Sequence, residues 1–307
     1  MKKRTAPILV TGSPRSGSTW AGKILAAAPR TAYVHEPFNV GIQIGVSDAA
    51  FENWFQYVCE ETPDPYRMAL DRLVHYKYPF GKNMARVRTV RDAAKMMRDQ
   101  GRFLLHKLSS HTPIIKDPIA IFSAEWLNQA LNMNVLVMIR HPAAFCSSLK
   151  IKNWQFDFRF FLNQPLLMEA YLGKFEREII ECKGNAKSLI DRAILLWNCI
   201  HHTISIYQES HPEWLFVRHE DLSRDPVGQF QAIYAAFGLE FTDKVKLRIL
   251  ETSGAHNPVE QDARNEFVRD SKRNIYNWKR RLSQSEIDLI KARTCEVSSA
   301  FYAESEW

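Results

Sequence analysis

The sequence predicts an α/β fold of the P-loop-containing, three-layer kind, with a mainly parallel central sheet flanked by helices, in a single domain spanning residues 1–307. Three observations predict it. Short apolar runs of strand character alternate with stretches of helical period, the pattern of a sheet built by crossover connections. The first run, 8–10, passes through a Gly/Ser-rich turn directly into a helix start. The 307 residues are 46% hydrophobic and 24% charged, enough apolar material to bury roughly three-quarters of the unfolded surface.

Residues 8–20 organise the chain. Gly12 and Gly17 permit a tight turn. Ser16, Gly17, Ser18 and Thr19 would then aim successive N–H groups at one anion at a helix start. Against the phosphate-loop pattern G-x-x-x-x-G-K-[ST], the loop has both glycines and Thr19, but Ser18 stands where lysine belongs. That lysine serves the β- and γ-phosphates of a nucleoside triphosphate, so another anion is expected, with Arg15 as a fork-shaped cation inside the loop. The helix runs over about 20–28 and Pro29 closes it. A second strand, 31–34, delivers His35 and Glu36 to the carboxyl end of the sheet, where open α/β sheets bind ligands. Pro37 biases Glu36 toward an extended conformation, and strand alternation sends His35 to the opposite face.

From about 40 to 101 the pattern loosens into an expected helical insertion, with helical stretches at 50–59 and 89–99. Trp54, Phe55, Tyr76 and Tyr78 either line an acceptor pocket or form a small core. Residues 103–106 and 112–118 look like further strand ends, the second carrying Lys116 and Asp117. Residues 135–148 give a strand followed by a helix, and 149–161 are basic and aromatic. Helical periods run through 166–182 and 188–210. A strand at 215–222 precedes a helix at 227–237 that Gly238 ends. Seven cations crowd 264–281 (Arg264, Arg269, Lys272, Arg273, Lys279, Arg280, Arg281). Ser283 and Glu286 form a capping box for a last helix reaching about Tyr302.

Composition narrows the function classes. The basic residues at 2–4 are followed by only three apolar ones, so neither a secretion signal nor a membrane span is expected, and the cytoplasm is the expected compartment; peripheral membrane contact is left open. The five cysteines are scattered without a C-x-x-C pair, which indicates neither zinc nor a disulfide framework. A net charge of +7 suits polyanionic ligands, while the basic run carries no recognised nucleic-acid module.

Residues 14–20, Pro-Arg-Ser-Gly-Ser-Thr-Trp, resemble the 5′-phosphosulfate loop of sulfotransferases that use 3′-phosphoadenosine 5′-phosphosulfate (PAPS). Residues 135–148 resemble the same family's strand-plus-helix 3′-phosphate site, with Arg140 and Ser148 on its arginine and serine positions. The resemblance covers about 1–38 and 103–302. Glu36-Pro37 is similar to the acceptor-side glutamate of carbohydrate sulfotransferases, and Lys116-Asp117-Pro118 to a motif of protein-tyrosine sulfotransferases. It implies PAPS as donor, no metal, and an acceptor hydroxyl of a sugar or glycolipid. Arg15, Ser16, Gly17, Ser18, Thr19 and Trp20 would hold the 5′-phosphosulfate, and Arg140 with Ser148 the 3′-phosphate. Ser271, Lys272 and Arg273 look like the family's nucleotide-covering loop, although its Arg-Lys-Gly triplet is absent. Glu36 is the expected general base, with His35, His106 and His111 as rivals, and Arg15 and Lys116 the charge-compensating catalytic groups. Two other classes stay open. A P-loop kinase would use Mg-ATP with Asp117 on the metal, and a non-catalytic nucleotide- or glycan-binding protein would not need Glu36 and Lys116.

Overall fold

The protein is described here by a computed structural model covering residues 5–41, 47–62, 65–183, 187–254, 257 and 270–307. Among the described residues, five strands form its sheet: β1 (Ile8–Gly12), β2 (Thr31–His35), β3 (Thr112–Lys116), β4 (Asn134–Ile139) and β5 (Leu215–Arg218), in the order β2-β3-β1-β4-β5. Every pairing is parallel, so crossovers carry the chain back over the faces. Alternation along the strands divides the core in two. Ile8, Val10, Ile114, Leu136 and Met138 pack toward helix α1 (Ser18–Leu25) and the helix Pro226–Ala236. Leu9, Ile115, Val135, Val137 and Ile139 pack toward the long helix Leu189–Ser210, which makes the third layer. Such two-sided burial explains why the strands read as continuous apolar runs.

Among the described residues, the insertion between β2 and β3 carries three helices, α2 (Pro65–Val74), α3 (Phe80–Met84) and α4 (Val90–Leu108), and is otherwise irregular. Two expectations fail here. Residues 50–59 form no helix. Phe55 has a φ of 58°, and groups far along the chain take the hydrogen bonds a helix would make within itself. The Tyr57 N–H donates to Gln164 Oε1 at 2.7 Å and the Val58 N–H to Ser123 Oγ at 2.9 Å. Residues 103–106 are not a strand but the end of α4. The Thr89–Asp92 capping box starts that helix, and Met96, Asp99 and Phe103 recur on its buried side. Phe55 and Tyr76 are core residues, whereas Trp54 is half-buried. The helical stretch at 166–182 is broken into short α, π and 3-10 turns.

Helix α5 (Ala124–Leu131) leads into β4, and β4 into helix α6 (Pro142–Lys152). The last helix, Gln284–Ser298, starts at the expected Ser283–Glu286 box and stops short of Tyr302.

Candidate active site

The carboxyl ends of β1, β2, β3 and β4 open onto a cavity of about 430 Å³, lined by Arg15, Ser18, Glu36, Lys116, Arg140 and Ser148 among others. Its floor is the loop after β1. Gly12 takes φ 118°, and an added Cβ would lie 2.2 Å from the Met138 carbonyl oxygen, so only glycine lets β1 turn beside β4. Arg15 (φ 63°) and Gly17 (φ 85°) are both left-handed. Gly17 is the N-cap of α1 and brings no capping side chain, so the first N–H groups of the helix face the cavity uncapped. A cation-rich cavity around uncapped amides is chemically suited to a polyanion.

One expected loop role changes. The Ser16 N–H donates back to the Ser13 carbonyl at 3.3 Å, and Ser16 is fully buried, so it closes the turn instead of facing the cavity. Gly17, Ser18, Thr19 and Trp20 do line the cavity. Trp20 is tied by its indole N–H to Thr252 Oγ1 at 3.0 Å.

Arg140, at the end of β4, and Ser148, on α6, meet the loop directly. Arg15 Nε donates to Ser148 Oγ at 3.0 Å, and Arg140 Nη1 donates to the Arg15 carbonyl at 3.1 Å. Glu220 braces this corner from behind: its Oε1 lies 3.7 Å from Arg140 Nε and accepts the His141 N–H, while its Oε2 accepts the Tyr302 hydroxyl at 2.9 Å. Glu220 is thus structural, as expected, but structural for the site. Arg218, by contrast, is held by Asp221 and Glu306 and lies outside the cavity.

Glu36 and Lys116 line another part of the cavity. Lys116 is the last residue of β3, 1% exposed, with its stem packed where a Cβ on Gly22 would touch it, and its ammonium forms an ion pair with Glu36. Glu36 is not extended. Its φ is 41°, because its N–H donates to the Lys116 carbonyl and its own carbonyl accepts the Asn39 N–H in a tight turn. This turn overrides the preference imposed by Pro37, and strain of that kind is common at functional sites. It also ends the strand alternation, so His35 Nε2 lies only 3.9 Å from Glu36 Oε2 instead of pointing away. Burial pushes the Glu36 carboxyl up, but the Lys116 charge and hydrogen bond outweigh this and leave its pKa below the ordinary value. Burial and the Lys116 charge lower the pKa of His35, which is therefore neutral at pH 7.

Asp117 does not face the cavity. Fully buried, it accepts the Phe38 N–H at 2.7 Å and the Ile119 N–H at 3.2 Å, and burial pushes its pKa up to about 8. A carboxyl so occupied is not placed to hold a nucleotide-bound metal, and no cluster of metal-ligating side chains occurs among the described residues. His106 and His111 pack on each other and do not line this cavity.

Toward the carboxyl end, Ser271 and Asn274 line the cavity, one turn apart on the short helix Ser271–Asn274. Lys272 and Arg273 lie between them on the exposed side, and Arg273 is 3.9 Å from Asp270. The helical spacing that brings residues i and i+3 together turns those two cations away, which corrects the expectation that they line the site. Arg264 and Arg269 lie outside the described residues. Trp154, in the basic and aromatic segment 149–161, lines the cavity; sequence reasoning missed Lys23, His219, Thr252 and Asn274, which line it too. Only Lys23, one turn beyond Thr19 on the same helix, carried a local signal.

A model of the sulfotransferase family matches residues 7–243. No curated protein matches the sequence. Among solved structures, the chain is similar to the sulfotransferase domain of the Synechococcus PCC 7002 olefin synthase, at 13% identity and a TM-score of 0.49, covering 99% of this chain and 98% of that one. It is similar to sulfotransferase STF9 from Mycobacterium avium, at 14% identity and a TM-score of 0.45, covering 98% and 78%. It is also similar to mouse sulfotransferase SULT7A1 complexed with PAP, at 12% identity and a TM-score of 0.43, covering 99% and 87%. With that model spanning most of the chain, over the strands and loops that build the cavity, the chain belongs to the sulfotransferase family.

Proposed function

We propose that this protein, as a single sulfotransferase domain, moves the sulfuryl group of PAPS to an acceptor hydroxyl of a sugar or glycolipid. The observation that carries this reading is the Arg15–Ser148–Arg140 network, which joins the loop after β1 to the β4–α6 corner within one cavity that also holds the Glu36–Lys116 pair. The donor supplies an activated sulfuryl group on a phosphate leaving group.

The residues divide the work. Amides at the start of α1, with Arg15, Ser18 and Thr19, hold the 5′-phosphosulfate, and Arg140 with Ser148 holds the 3′-phosphate. Glu36, ionised at neutral pH, takes the proton of the acceptor hydroxyl as its oxygen bonds to sulfur. The electron pair of the breaking S–O bond stays with the 5′-phosphate. Lys116 neutralises Glu36 in the resting site; as the sulfuryl oxygens arrive, its ammonium is shared with them, which frees the carboxylate to accept a proton and compensates charge on the transferred group. The five cysteines are all free, which suits a reducing compartment such as the cytoplasm.

Calorimetric titration with adenosine 3′,5′-bisphosphate, alongside ATP with Mg²⁺, tests the donor reading. Selective micromolar binding of the bisphosphate, lost in Arg140→Ala, is expected. A preference for Mg-ATP would replace the sulfotransferase reading with a kinase.

A further inference from the structure

Helix α4 carries a second apolar side. Met96, Asp99 and Phe103 face the core, whereas Val90, Met97, Leu104, Leu105 and Leu108 are exposed, from 56% at Leu104 to 88% at Val90. Val90, Ala94, Met97, Gly101, Leu104 and Leu108, all exposed, recur at alternating spacings of four and three residues, with Leu105 beside them. Such a period keeps them on one lengthwise stripe. It runs about 27 Å along the helix and covers an arc of about 100°, roughly opposite the buried side. Single exposed leucines need no explanation, but a contiguous apolar stripe marks an interaction surface.

Cations border the stripe. Arg91, Lys95, Arg98 and Arg102 stand at i, i+4, i+7 and i+11 along one edge and Lys107 on the other, all five exposed. The two carboxylates of α4 lie away from both edges. Asp92 belongs to the capping box and interacts with the Lys95 charge, and Asp99 is buried and accepts from Arg98 at 3.0 and 2.9 Å. Setting each carboxylate against its cation still leaves the helix a net charge of +3, from Arg91, Arg102 and Lys107. Basic side chains beside a lengthwise apolar face complement anionic headgroups over acyl chains, with the cations reaching up to the phosphates. A span is not at issue, since no helix among the described residues is long and apolar enough to cross a membrane. A second copy is the poorer partner: its edges hold Arg91 and Arg98, or Ala93, Gln100 and Lys107, so paired stripes would meet without a carboxylate on either border.

We propose that α4 docks this protein on an anionic lipid surface. The helix lies in the plane of the interface, with Val90, Met97, Leu104, Leu105 and Leu108 among the outer acyl segments and Arg91, Arg102 and Lys107 on the headgroup phosphates. The proposal is independent of the sulfuryl-transfer reading, because it uses the outer side of the insertion and no residue of the active-site cavity.

The test is flotation of the full chain with vesicles of phosphatidylcholine alone and of phosphatidylcholine mixed with phosphatidylglycerol. Binding to the mixed vesicles should be about tenfold or more tighter than to the neutral ones, since each cation at the surface is worth about fivefold, and should weaken with added salt. Leu104→Ser with Leu108→Ser should cut binding by about tenfold or more. Arg91→Gln with Arg102→Gln should remove most of the preference for anionic lipid. Both pairs should keep the wild-type melting temperature, because the side chains are exposed; if the serine pair lowers it, the glutamine pair decides alone. No binding, equal binding to the two vesicles, or a lipid preference that survives the glutamine pair would overturn the proposal. Light scattering of the protein alone reads the other occupant: a dimer dissociated by the serine pair, with no vesicle bound, would assign the stripe to a second copy.

Discussion

The two walls of the active-site cleft are built in different ways. The wall proposed to take the donor joins two short-range units, the loop after β1 with the start of α1 and the β4–α6 corner, both set on buried parallel strands and linked by Arg15, Arg140 and Ser148. The wall proposed to face the acceptor is assembled from a left-handed turn at Glu36 and a buried lysine at the end of β3, which are far apart in the chain. Backbone amides at a helix start bind a phosphate-like group whatever is attached to it, whereas specificity for an acceptor depends on side chains. Substitutions on the donor wall should therefore change nucleotide affinity, and those on the acceptor wall should change turnover.

The sharpest test of that division is Glu36→Gln, which should lower sulfuryl transfer by roughly 10²–10⁴-fold with bisphosphate binding kept. His35→Asn, altering the neighbouring imidazole, should cost less than about tenfold; a reversed order would make His35 the base. In the wild type, Glu36 is ionised at neutral pH, so kcat/KM should stay level through pH 7 and fall only in acid, as Glu36 takes up a proton below the ordinary carboxylate range.

Gly17→Ala tests the other wall. At φ 85°, and with His219 Nδ1 only 2.6 Å from the added Cβ, the substitution strains the loop and crowds the imidazole beneath it. Bisphosphate affinity should fall about 10- to 100-fold, the cost of one or two strained contacts. Unchanged affinity would mean that the loop does not carry the 5′ group.

A smaller change is expected from Glu220→Gln. It keeps the shape but removes the charge behind Arg140, so bisphosphate binding should weaken by about tenfold or less while KM for the acceptor stays constant. A change confined to acceptor kinetics would erase the distinction between the walls.

The least effect on function is expected at Asp117, which supports the turn between them. Its folded pKa of about 8 exceeds the value near 4 of an unfolded chain. Its contribution to stability is therefore complete below about pH 4 and is lost as pH rises through about 8. Asp117→Asn should flatten the fall in melting temperature between pH 6 and 9; an equal fall in both proteins would remove Asp117 as its source.

Much of the donor wall was legible in the sequence. The residues at 8–20 act within one strand–loop–helix unit, so glycine placement and apolar period suffice to locate the turn and the helix start. Arg140 and Ser148 were picked out by the resemblance of 135–148 to the family's strand-plus-helix site, not by period or spacing. Ser16 was misplaced because which amide of a tight turn closes the turn depends on the dihedrals of Arg15 and Gly17, not on residue type. Lys272 and Arg273 were misplaced because a dense run of cations does not reveal its helical phase until the helix is docked through Ser271 and Asn274.

By itself, then, the sequence determined the α/β layering and the turn from the first strand into a helix, since periodicity and short-range turn chemistry are written in consecutive residues. Tertiary structure alone decided the left-handed turn at Glu36, the brace of Glu220 on Arg140 and the irregular course of 50–59. Each of those depends on hydrogen bonds or charges supplied by partners dozens of residues away, which a reading along the chain does not pair.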